Sequence, residues 1–241
     1  MLLDLIEFFR YKMAVVSTVL TSLVMILAFG LGMRKSEFIV EGLSYVSFIV
    51  PGILAVGTMF SCVYSAGYTI ILDRQRRLID DIVLSPASYS SYVVGRMLSN
   101  MIKSLIQFSI VLFIAIFLLK MPFPNLLILG ISFILTVILF AAIGMTLASF
   151  TDVLSFAGFA NLITLPFMYF CGVFFPVTYF KGLTPILQII PFTASIEIFR
   201  YAFIKQTLVG SLFSNIIILI FWSALMSIVG IAAFRKAVSR N

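Results

Sequence analysis

The chain has 241 residues, 62% of them apolar and 10% charged, whereas a water-soluble domain usually carries about 25% charged residues. That deficit excludes an ordinary soluble globule, and the absence of histidine beneath a net charge of +7 removes His-based general catalysis, haem ligation through His and the HExxH zinc site. No Gly-Lys dipeptide occurs, so the Walker loop is missing and any ATP hydrolysis belongs to another chain.

At the start, Leu2, Leu5, Ile6 and Phe9 recur at helical spacing while Asp4, Glu7 and Arg10 take much of the remaining surface. This predicts a short amphipathic helix over residues 1–12, lying on the inner leaflet or extending the first span. Six apolar runs follow, over 13–32, 48–72, 101–119, 126–150, 156–175 and 212–234. Each is near or above the roughly 20 residues a helix needs to cross a bilayer, and all are read as α-helices because a strand edge cannot stay unpaired in hydrocarbon. The first run is too long for a signal h-region and has no Ala-x-Ala site, so it is expected to stay as an anchor.

In the second span Gly57, Ser61, Ser65 and Thr69 fall four apart and make a stripe of small side chains. Such a stripe permits close helix approach. Packing within the chain, a homodimer seam and a substrate path all remain open for it.

Between the second and third spans lies the most charged stretch, 73–96. Asp73, Arg74, Arg76 and Arg77 lead into an apolar strip of Leu78, Ile79, Ile82 and Val83, with Asp80 and Asp81 beside it. Arg76 with Asp80, and Arg77 with Asp81, are four apart and contribute only tenths of a kcal/mol on a helix surface. Stability is therefore no sufficient reason for the charges. Ser85 and Pro86 suit an N-cap and a first helical position, restarting a helix through Tyr92 and Gly95. An elbow of two helices with mixed apolar and charged surface fits a docking site for a soluble partner.

Pro122 and Pro124 mark a tight turn between the third and fourth spans. The region 176–211 is different. Pro176 ends the fifth span, Thr184 and Pro185 start a short helix, and Pro191 breaks it before a segment that carries Glu197 and Arg200. A charge at midspan costs roughly 2.5–3.5 kcal/mol, so this stretch is read as a re-entrant or interfacial pair of short helices. Phe167, Tyr169, Phe170, Phe174, Phe175 and Tyr179 crowd the same end, either as an aromatic belt at headgroup level or as a stacking surface for a glycan, lipid headgroup or planar drug. Cys62 and Cys171 fall inside spans and are expected to be buried free thiols. With few acids in the spans, proton- or sodium-coupled transport is the weaker reading, and a membrane enzyme would need a polar catalytic cluster that the spans do not offer.

Lys and Arg placement sets the orientation. With both termini cytoplasmic, the inner side holds Arg10, Lys12, Arg74, Arg76, Arg77, Arg96, Lys103, Arg235, Lys236 and Arg240, leaving Arg34, Lys35, Lys120, Lys181, Arg200 and Lys205 outside. That bias follows the positive-inside rule and makes the net charge a matter of anionic lipid contact and not of nucleic acid.

Taken in order, three stretches resemble the type 2 ATP-binding-cassette exporter permeases. They are Tyr45-Val46-Ser47-Phe48-Ile49-Val50-Pro51-Gly52-Ile53-Leu54, the elbow from Arg74 to Arg96 with Leu84-Ser85-Pro86 and Gly95, and the late run Leu165-Pro166, Gly172-Val173-Phe174-Phe175-Pro176, Pro191-Phe192 and Glu197 to Arg200. The resemblance implies a single all-α permease domain over 1–241. It would have six transmembrane helices, an N-terminal interfacial helix, a cytoplasmic coupling elbow after helix two and a re-entrant helical hairpin before helix six. It also implies two separate ABC ATPase subunits that hold the ATP and Mg, a second permease copy in a homodimer, and no cofactor on this chain. Carried over, Asp73, Arg74, Arg76, Arg77, Asp80, Asp81, Ser85 and Pro86 become candidate ATPase contacts, and Glu197 and Arg200 an outer charge pair. The expected function is a non-catalytic export permease of the cytoplasmic membrane for a drug-like molecule or a lipid-linked glycan. The rival is a non-transporting assembly or regulatory subunit that recruits an ATPase.

Overall fold

A computed structural model describes residues 20, 22–32, 39–76, 78 and 89–238. The expected interfacial helix over 1–12, the first part of the first span, and Arg77, Asp80, Asp81, Ser85 and Pro86 of the elbow lie outside the described residues.

What is described of the first span ends in a π-helical segment, Ile26–Leu31. A small antiparallel pair follows, β1 (Ile39–Val40) and β2 (Leu43–Ser44), joined through Glu41 and Gly42 at φ 50° and 80°, the positive φ values that a two-residue hairpin turn requires. Helix α1 (Tyr45–Gln75) starts where the Ser44 side chain accepts a bond from the Ser47 amide. Its 31 residues span about 46 Å at 1.5 Å per residue. Every residue from Phe48 to Met59 is buried, as befits a helix apolar on all sides. Helix α1 is the central post. The π segment and helices α2 (Tyr89–Phe117), α3 (Leu126–Phe150) and α4 (Val153–Phe170) pack around it.

Close approach to α3 depends on one missing side chain: a Cβ on Gly144 would sit 2.3 Å from the Val63 carbonyl oxygen. Helix α4 begins earlier than the hydropathy reading of 156–175 and ends sooner. Asp152 and Ser155 cap its start reciprocally, which also holds the Asp152 carboxyl below its ordinary value through the Ser155 hydroxyl and amide. The chain then leaves the helix at Phe170, because Gly172 takes φ 92° and Pro176 follows. The third span likewise starts well before residue 101, since the second elbow helix and that span are one continuous helix.

After a 3₁₀ turn at Val177–Tyr179 come α5 (Thr184–Ile189) and α6 (Pro191–Ile204). Ile190 between them is extended, ψ 126°, because a residue preceding proline is pushed out of the helical region. Lys205 at φ 59° ends α6. The two short helices differ in setting. Helix α5 exposes Ile186 and Ile189, whereas every residue of α6 except Tyr201 and Ile204 is buried, enclosed by α1, α3 and α7 (Leu212–Val238). An interfacial position is thereby corrected for α6, which is a core element.

The helices alternate in direction, so that one end gathers the C-termini of α1, α3 and α7 with the start of α2, and the other gathers β1, β2, α5 and α6. These are called the Arg96 end and the Arg200 end. Among the described residues five helices, α1, α2, α3, α4 and α7, are long and apolar enough to cross a membrane. Their outer faces carry Phe113, Phe117, Leu127, Leu162, Phe213 and Ile228, all more than half exposed. Water does not tolerate so continuous an apolar surface, and lipid does. The chain is a multi-pass, all-helical membrane protein.

Candidate functional site

Two polar clusters cap the bundle, one at each end. At the Arg96 end, Asp73 in the last turn of α1 is only 4% exposed. It accepts a hydrogen bond from the Tyr92 hydroxyl and pairs with Arg96, both from the start of α2. The Arg96 guanidinium lies 5.2 Å from the Tyr92 ring centroid, and that ring stacks on Phe234 of α7 at 5.1 Å. One position along, about 100° round the helix, Arg74 turns toward α3 and donates to the carbonyls of Ala148 at 2.5 Å and Thr151 at 3.1 Å. Carbonyls at a helix C-terminus have no partner of their own and favour a cation. The two flanks of the elbow are therefore pinned to each other by Asp73 and Arg96, to the C-terminal end of α3 by Arg74 and to α7 by Tyr92.

Of the candidate ATPase contacts, Asp73 and Arg74 make hydrogen bonds within the chain. Arg76 is exposed. Arg77, Asp80, Asp81, Ser85 and Pro86 lie outside the described residues.

At the other end, Glu197 and Arg200 stand one turn apart on α6, each 1% exposed. Arg200 donates to Glu197 and to the Gly172 carbonyl at 2.9 Å, and its guanidinium lies 4.4 Å from the Phe48 ring centroid. Glu197 accepts from the amides of Leu208 at 2.7 Å and Val209 at 3.4 Å. The pair thus joins the start of α1, the turn after α4 and the link from α6 to α7. A charge is held this deep only with extensive partnering, and of the Arg200 guanidinium only Nε is left without a hydrogen bond among the described residues.

The small-residue stripe divides. A Cβ at Gly57 would meet the Ser22 hydroxyl at 2.2 Å, and Ser61 contacts Ser104 of α2 at 3.2 Å, so these two positions are filled from within the same chain. Ser65 and Thr69 are half-buried, with the Thr69 hydroxyl bonded back to the Ser65 carbonyl at 2.7 Å. The aromatic group divides as well. Phe167 packs between Phe140 and Phe192, and Phe174, 8% exposed, packs against Phe29 and Tyr169. Tyr169, Phe170, Phe175 and Tyr179 remain exposed. Cys62 and Cys171 are buried and free.

One feature escaped the sequence reading. Ser99, Asn100, Lys103, Ser104 and Gln107 form a buried polar face on α2. Their spacing of three and four is the signal that would have found it.

Residues 3–204 match the family model described as ABC-2 type transporter. Among curated proteins, the chain is 24% identical over 223 residues to Nodulation protein J of Bradyrhizobium diazoefficiens, covering 89% of this chain and 82% of that protein.

Proposed function

Since this chain belongs to the ABC-2 type transporter family and is a transmembrane subunit of an ABC transporter, we propose that it is the permease of an exporter. Its cargo is amphipathic, a drug-like molecule or a lipid-linked glycan, and the ATP is hydrolysed by two separate ATPase subunits docked at the Arg96 end. A second copy of the chain completes the conduit. The permease does no chemistry itself.

The observation that carries this reading is the pinning of the elbow. A push delivered between α1 and α2 reaches α7 through Tyr92 and Phe234, and reaches the C-terminal end of α3 through the Arg74 bonds to Ala148 and Thr151. A loop that merely obeyed the positive-inside rule would need none of these contacts. Arg76, Arg77, Asp80 and Asp81 are the residues proposed to touch the ATPase, while Asp73, Arg74 and Arg96 transmit its motion.

The two roles separate by experiment. Exchanging Arg76 and Arg77 for Ala is expected to weaken copurification with the ATPase at least tenfold. Asp73→Asn is expected to leave copurification intact while cutting ATP-dependent cargo accumulation in inside-out vesicles by a similar factor. Export undiminished by Asp73→Asn removes the transmission role. Accumulation that is the same with and without the chain establishes the rival, a non-transporting assembly subunit.

A further inference from the structure

Beneath the hairpin of α5 and α6 lies an apolar cavity of about 340 Å³. Leu139 and Ile143 of α3 form its back wall, Phe167 of α4 with Trp222 and Met226 of α7 its sides, and Ile189 of α5 its roof. The turn at Ile190 leaves this space open. Its extended backbone before Pro191 takes α5 out of line with α6, so that Ile186 and Ile189 point toward lipid, each more than half exposed.

Chemistry, depth and size select the occupant. The lining side chains are apolar except for the Trp222 indole N–H, which already donates to the Ile189 carbonyl at 3.1 Å. A cargo bearing hydroxyls or charges would leave them unpaired here. Counted along α7 from Leu212 and along α3 from Leu126, Trp222 and Leu139 lie about 15 and 20 Å from the Arg200 end, near the middle of a hydrocarbon layer roughly 30 Å thick. Headgroups do not reach that depth, and chain ends do. The volume, at the low end of the roughly 300–1,000 Å³ of small-molecule sites, holds part of one chain and not a whole lipid. The cavity is also continuous with the surface already assigned to lipid: Ile186 and Ile189 at its rim and Phe221 beside Trp222 are all more than half exposed. An empty void opening onto hydrocarbon forfeits dispersion contacts on every wall, and apolar cavities take up apolar guests. We propose that this cavity is a binding site for the terminal part of one phospholipid acyl chain, from the leaflet at the Arg200 end. The chain end fills the space under α5 and joins the hairpin to α3 and α7.

The test is photolabelling in phosphatidylcholine nanodiscs that contain a minor fraction of the same lipid with a diazirine near the terminal methyl of one chain, the tagged positions being mapped by peptide mass spectrometry. In the unaltered chain Met226, inside the cavity, is expected to be tagged alongside Phe221, which faces lipid on the same helix. Ile143→Trp, which sets an indole in the cavity, is expected to cut tagging of Met226 at least tenfold and to leave Phe221 unaffected. Ile189→Trp fills the space from the roof and is expected to do the same, so the test survives a poorly folded Ile143→Trp. Tagging of Phe221 without Met226 shows a cavity closed to lipid and overturns the proposal. Tagging of Met226 that neither variant lowers also overturns it, since ordinary contact with the surrounding bilayer then accounts for the signal. Protection of both residues overturns it as well, by showing that a second copy of the chain covers this face. The readout needs no ATPase, nucleotide or cargo, so it stands apart from the export reading.

Discussion

Arg200 and Glu197 gain nothing from solvent, and the surrounding backbone answers for both. Arg200 reaches the Gly172 carbonyl and lies over the Phe48 ring while Glu197 gathers the Leu208 and Val209 amides, so three separate stretches of chain converge on one ion pair. Removing one partner of a buried pair leaves the other uncompensated, typically at a cost of about 3–5 kcal/mol. Glu197→Gln is therefore expected to lower the thermal unfolding midpoint in detergent markedly, and the double change Glu197→Met, Arg200→Met to recover part of the loss. A Glu197→Gln midpoint equal to that of the unaltered chain would contradict the description of the pair as a structural latch. The two charges were visible in the sequence as anomalies in an apolar run. Their backbone partners were not, because Gly172, Leu208 and Val209 contribute only main-chain atoms that no side-chain pattern announces.

Helix α1 owes its place at the centre to surfaces that let neighbours come close. Where Gly144 meets Val63, a larger side chain must drive α1 and α3 apart, and over-packing of this kind costs about 1–3 kcal/mol or more. Gly144→Val is accordingly expected to broaden or aggregate the size-exclusion peak, while Gly158→Ala, with nothing within 4 Å of the added carbon, leaves it unchanged. Helix existence was legible from hydropathy, but the edges were not. The fifth span starts at Val153 and not at residue 156 because Asp152 and Ser155 cap it reciprocally, and an apolar run carries no trace of its polar cap. The buried polar face of α2 is hidden for a related reason: Asn100, Ser104 and Gln107 are uncharged and barely interrupt the apolar run, so only their helical spacing marks them.

Across the whole molecule, the two capped ends carry different chemistry. Arg74, Arg76, Arg96, Arg235 and Lys236 gather at one end, and the exposed aromatics Tyr169, Phe175 and Tyr179 at the other. In the orientation proposed from the charge bias, the Arg96 end faces the cytosol. A cysteine replacing Arg76 is thus expected to react with an impermeant label in inside-out vesicles and not in intact cells, with a cysteine at Lys181 giving the opposite result. Labelling of position 76 from outside intact cells would invert the proposed topology and remove the ATPase docking site with it. Architecture at this scale was the most readable level, since membrane helices are dictated by long apolar runs. Which surfaces meet a second chain was the least readable: half of the small-residue stripe that offers itself as a seam is already consumed by Ser22 and Ser104.

Trp222 is the single tryptophan of the chain, and its indole nitrogen donates to the Ile189 carbonyl, at the end of α5, at 3.1 Å. The protein thereby carries an intrinsic fluorophore wired to the hairpin. Any conformational step that lifts α5 away from α7 changes the emission of this indole, so the motion can be timed by stopped-flow optics on unlabelled material.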